Sequence, residues 1–165
     1  MLIRDVPPYI NPRPRSFAAL MDLYEANYIR LRRLCPQLVA LRGTSISRVA
    51  GAMDLHLTVL AHNRYTSDLS LTYLFRDEGG VRANPDLHLR IYFDARQVEV
   101  LSRIPHHRPA TDAHHETAAL LERWRENRFL YKWLGYCLHQ GHGFRTAPAD
   151  DVGPFFLTPL FIPAP

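Results

Sequence analysis

The sequence predicts an α+β domain: an N-terminal helix, an antiparallel β-meander of about five strands, and a long C-terminal helix packed on one sheet face. Three observations lead there. Apolar residues recur at helical spacing over 17–35, alternate with period two over 46–100, and return to helical spacing over 116–140. The chain has 165 residues, 47% apolar and 22% charged. That is enough for one domain with a real core, and too apolar for a wholly disordered chain.

Residues 1–15 carry Pro7, Pro8, Pro12 and Pro14 and read as an extended arm. Residues 16–143 form the domain and 144–165 a proline-rich apolar tail, expected to dock on the domain's own surface. Ser16 is a suitable N-cap. Phe17, Leu20, Tyr24, Leu31 and Leu34 then make one helical face, and Pro36 ends it. Asn27 interrupts that face, so it must find hydrogen-bond partners.

Strands follow. "ISRVA" (46–50) is short and is followed by a Gly51-Ala52 turn. "MDLHLTVLA" (53–61) and "SDLSLTYLF" (67–75) alternate cleanly, joined by a connector at 62–66. "RDEGGVRANPD" (76–86) is a loop by its Gly, Asn and Pro content. "LHLRIYF" (87–93) leads into a turn at Asp94-Ala95-Arg96, after which Val98 and Val100 resume the apolar face. A linker with four histidines (104–117) precedes the last helix, which Gly141 terminates.

The net charge is +4, with Lys132 the only lysine among twenty basic residues. Arginine forks suit phosphate or carboxylate, although a preference for arginine codons accounts for the composition equally. Cys35 and Cys137 are too few for a disulfide scaffold and fit a reduced, cytoplasmic setting. No apolar run is long enough for a membrane span.

No nucleotide-loop or hydrolase motif is present. The pairs His106-His107 and His114-His115 lack metal-ligand spacing, so neither a metal nor another cofactor is expected. Asp54, Asp68 and Glu99 share the polar sheet face and are weighed there as an acid–base cluster. The same face carries His56, His88, Arg90 and Tyr92, a set able to bind a nucleotide or RNA. Leu60, Leu74 and Leu101 leave open a monomer or a homodimer.

Several stretches resemble the YqiB-like proteins, a bacterial family of unknown function. "YEANYIRLRRLCP" (24–36) is similar to that family's opening motif. "RYT" (64–66) and "RIYFDARQVEV" (90–100) resemble its hairpins. "NRFLYKWLGYCLHQGHG" (127–143) resembles its last helix. Departures fall in that helix: Leu121-Glu122-Arg123 and Arg125 replace an Asp-Glu-Lys and a Gln, and Lys132 replaces an acidic residue. The resemblance implies a small cytosolic protein with no established activity, best read as a non-catalytic binding or regulatory module of unknown partner. It also singles out Glu25, Asn27, Arg64, Asp94 and Asn127 as a polar network. Arg64 is expected to pair with Asp94 or Glu25. If Asn27, Arg64 and Asp94 converged in a pocket, they would instead suit a small hydrolase or lyase.

Overall fold

The computed structural model describes residues 13–101 and 113–145, with side chains from 116 in the second stretch. Residues 1–12 of the expected arm, His106, His107 and nearly all of the tail lie outside the described residues; His114 and His115 fall in the last helix, which starts at Ala113 and not near 116 as expected.

Helix α1 spans Phe17–Leu34. Its N-cap is Ser16, whose Oγ accepts from the Ala19 N–H at 3.1 Å. Leu20, Tyr24, Leu31 and Leu34 are buried along one stripe, and Asn27 is buried among them. A short 3-10 turn at Leu38–Ala40 leads into the sheet.

Five antiparallel strands lie in the order β1-β2-β3-β4-β5: Thr44–Ser47, Leu55–His62, Thr66–Asp77, Gly80–Tyr92 and Gln97–Val100. Alternation sets the faces. Leu55, Leu57, Leu69, Leu71, Leu89, Ile91 and Val98 are buried on one side. His56, Thr72, Ser70 and His88 follow one another across the other side through the ladder register. Helix α2 (Ala113–His139) adds Leu130, Trp133, Leu134 and Cys137 to the same core. The Trp133 ring meets Tyr73 edge-on, with centroids 5.6 Å apart.

Two expectations are corrected. The first strand is Thr44–Ser47, not 46–50, because its ladder starts at Thr44 opposite Thr58. Residues 76–86 are not a loop. A bulge sets Asn84 and Pro85 of β4 opposite Tyr73 of β3, and Asp77 then pairs with Gly80 across a tight turn. Asp77 Oδ1 accepts from the Gly79 N–H at 2.8 Å and closes that turn. Pro85 is tolerated because β5 pairs with β4 only over Leu89–Tyr92, leaving Pro85 on a free edge.

Helix α2 stops as expected at Gly141, whose φ is +89°. The His142 N–H bonds to the Cys137 carbonyl and the Gly141 N–H to the Leu138 carbonyl, both at 3.1 Å. This is the paired closure that a left-handed glycine permits. The chain then returns to α1, where the Phe144 N–H bonds to the Leu34 carbonyl at 2.8 Å.

Candidate functional site

The polar sheet face keeps its groups for itself. Arg90 makes a two-pronged pair with Asp68, both contacts 2.8 Å. Register puts Asp68 on one side of Arg90 and Glu99 on the other. The Tyr92 hydroxyl donates to Glu99 at 2.7 Å. Burial and that carboxylate push the Tyr92 phenol up, and the same two causes push Tyr24 up to about 12. His88 lies 3.5 Å from Asp86. His56 sits part-buried in mid-sheet. The four residues do share a face, but the fork that would take an anion is already filled. The acid–base cluster does not form: Asp54 pairs with Arg48 at 3.2 Å, and Asp68 and Glu99 are separated by Arg90.

The expected polar network divides. Asn27 Nδ2 donates to the Asn127 carbonyl at 3.1 Å and ties α1 to α2. Asn127 Nδ2 donates to the Arg123 carbonyl at 2.9 Å, and its Oδ1 accepts from the Val100 N–H at 3.0 Å. That N–H belongs to an edge strand, so Asn127 caps the sheet. Arg64, Asp94 and Glu25 stand apart. The turns holding Arg64 and Asp94 are neighbours, since the Phe93 N–H bonds to the Tyr65 carbonyl at 2.9 Å. Yet no Arg64–Asp94 or Arg64–Glu25 ion pair forms among the described residues. The Arg64 guanidinium lies over the Tyr65 ring, 5.1 Å from its centroid, and both Arg64 and Asp94 are exposed. An ion pair between two solvated side chains gains too little to hold them together. Asn27 is fully buried. The three residues therefore share no pocket, and the hydrolase reading built on them falls.

A different place is concave. A groove of about 950 Å³ runs between α1 and the β4–β5 turn. Tyr28, Ile29 and Phe93 give it an apolar lining, and Arg32, Arg33 and Arg96 line it as well. None of the three arginines has an ion-pair partner among the described residues. Glu25 is the acid that lines the groove, so its lining carries three positive charges against one negative. Arg32 and Arg33 occupy the last turn of α1, where the helix dipole favours cations. Arg96 has a different origin. Its φ is +53°, a left-handed conformation that suits glycine. Reading by polarity selected Asp94 from the Asp-Ala-Arg turn; the structure turns Ala95 and Arg96 to the groove instead. The available signal was a long cation at the turn position where glycine is preferred.

A second depression of about 630 Å³ adjoins β1 and the end of α2. There Ser47 Oγ accepts from the Gly143 N–H and meets His142 Nδ1, both at 3.0 Å. Burial lowers the His142 pKa. Ser47 and His142 are buried and mutually bonded, which leaves no open position for a substrate at the hydroxyl. Both cysteines are buried, and burial pushes Cys35 up to about 12 and Cys137 up to about 11. Among the described residues no three His, Cys, Asp or Glu side chains gather to hold a metal. Nor is any helix there long and apolar enough to cross a membrane.

Residues 30–143 match the model of a family described as protein of unknown function, DUF1249. The chain is 30% identical over 133 residues to the uncharacterised protein YqiB of Escherichia coli K12, covering 76% of this chain and 91% of that protein. The protein of the same name from strain O157:H7 matches to the same extent. No solved structure matches the chain. Arg32, Arg33 and Arg96 all lie inside the matched segment, as does the Asn127 cap of β5. The chain belongs to the DUF1249 family, whose function is unknown.

Proposed function

We propose that the chain is a non-catalytic binding module. Its groove between α1 and the β4–β5 turn would hold an anionic ligand with a flat or apolar body. One observation carries this reading: three arginines without acidic partners among the described residues share a groove with an apolar lining. A guanidinium aimed at solvent is available to a carboxylate or phosphate, whereas Arg90 would first have to leave Asp68. The concave shape and mixed lining are those of a ligand site.

Anilinonaphthalene sulfonate has the required form, an anion on a flat aromatic body. Its fluorescence titration should show saturable binding. Arg32→Ala and Arg96→Gly should each weaken it roughly tenfold, the low end of the loss expected for one charge-assisted contact. Arg76→Ala, at the exposed β3–β4 tip, is the charge-matched control and should leave the affinity unchanged. Equal effects of all three substitutions, or none, would overturn the reading.

A further inference from the structure

We infer that the ligand is a single-stranded nucleic acid, whose backbone passes from the groove over Arg33 into the depression beside β1. This rests on the groove being a binding site. Arg33 lines both depressions, so the two are adjacent and share a cation. The path carries Arg96, Arg32 and Arg33 on the groove side, then Arg48 and Arg145 beyond it. Among the described residues only Arg48 of these five has an ion pair, an exposed one with Asp54. A compact anion needs one such cluster. A succession of cations across two connected depressions matches a repeating anion.

The groove lining supplies the second requirement. Tyr28 and Phe93 are aromatic rings that line the groove with the arginines, packed against the core on one side and part-exposed on the other. Single strands are held by such a combination, a cationic track for phosphates and ring faces for unstacked bases. Glu25 is the groove's acid, while Asp68, Asp86 and Glu99 lie in the β3–β5 ladders and engage partners there. Since stacking and phosphate contact are indifferent to base identity, the inferred binding tolerates sequence changes.

The test uses the full chain and labelled ten-nucleotide oligouridine RNA and oligothymidine DNA, followed by fluorescence anisotropy across a salt series. Four free arginines should give a slope of log affinity against log salt of about −3, each removal reducing it by about 0.7. Arg33→Ala should weaken binding most, because it serves both depressions. Arg145→Ala should weaken oligonucleotide binding roughly fivefold while leaving anilinonaphthalene sulfonate binding unchanged, since Arg145 lies outside the groove. Binding of either strand with these dependences sustains the inference, and the RNA-to-DNA ratio reports whether the 2′-hydroxyl is read. Absent or salt-independent oligonucleotide binding, with dye binding intact, overturns the inference and leaves the groove reading standing. Tighter binding of a duplex than of either single strand also overturns it. Loss of both dye and oligonucleotide binding in the wild-type chain removes both readings.

Discussion

Replacing Asn127 tests the claim that its side chain ties the sheet edge at β5 to α2. In Asn127→Ala two hydrogen bonds disappear, from Nδ2 to the Arg123 carbonyl and from the Val100 N–H to Oδ1. Each is worth about 1 kcal/mol net, and the stranded Val100 N–H adds about 1 kcal/mol of unmet desolvation. The expected loss is about 3 kcal/mol by urea unfolding. Trp124 and Trp133 lie on the same helix and report the transition by fluorescence. Asn127→Asp makes the argument sharper. One carboxylate oxygen still accepts from Val100, but the other faces the Arg123 carbonyl, so two acceptors meet. Only the protonated acid can donate there, so the folded pKa rises above the ordinary value of about 3.9. With a raised carboxyl pKa, stability is complete below the unfolded value and is lost as pH rises toward the folded one. The deficit relative to wild type should therefore grow above about pH 4, by up to about 1.4 kcal/mol per pH unit. A deficit that does not change with pH, or an Asn127→Ala loss under about 1 kcal/mol, would refute the reasoning.

The remaining perturbations probe the core and the turns. Both thiols should be silent to Ellman's reagent at pH 8 in the folded chain, and two should react after unfolding in urea; rapid native labelling would contradict their burial. His142 is held below its ordinary pKa by burial, with Asp54 the carboxylate that acts in the opposite sense. Its contribution to stability is thus full above about pH 6.5 and is lost as pH falls below that value. The stability advantage of wild type over His142→Gln should narrow between pH 7 and 5; a widening gap would contradict this. Asp94→Ala should change stability by no more than about 0.5 kcal/mol, because the exposed carboxylate has no ion-pair partner among the described residues.

The fold was legible wherever a local rule decides it. Ser16 and Pro36 bracket α1 because capping and proline geometry act within a turn of chain. Leu55, Leu57, Leu69 and Leu71 reveal the buried face because strand period alone assigns it. The β3–β4 tip was not legible: Gly79, Gly80, Asn84 and Pro85 read as a loop, and only the pairing of Phe75 with Arg82 and Arg76 with Val81 shows a ladder. The site divides in the same way. Alternation placed Arg90 and Tyr92 on one face, but their partners depend on register across three strands. The Asn27–Asn127 contact joins residues 100 apart in sequence. The groove is formed by the end of α1 and a turn sixty residues later, with no motif linking them.

Where the arginines sit says more than how many there are. Arg48, Arg82 and Arg90 each face a carboxylate, as stability alone would favour. Arg32, Arg33 and Arg96 face one groove, where mutual repulsion acts against the fold. Arg96 also occupies a left-handed backbone position that disfavours a non-glycine residue by about 1–2 kcal/mol. Arg96→Gly relieves that strain, while the glycine raises the unfolded chain's entropy by an equivalent of about 0.5–1 kcal/mol. The net expectation is a gain of about 0.5–1 kcal/mol, read as an increase of a few degrees in Tm. The same substitution should weaken binding of the sulfonate dye. Stability and binding moving in opposite directions would show that the fold carries this arginine for its ligand. If Tm falls together with binding, Arg96 is a structural residue, and the groove loses the cation that folding alone does not explain.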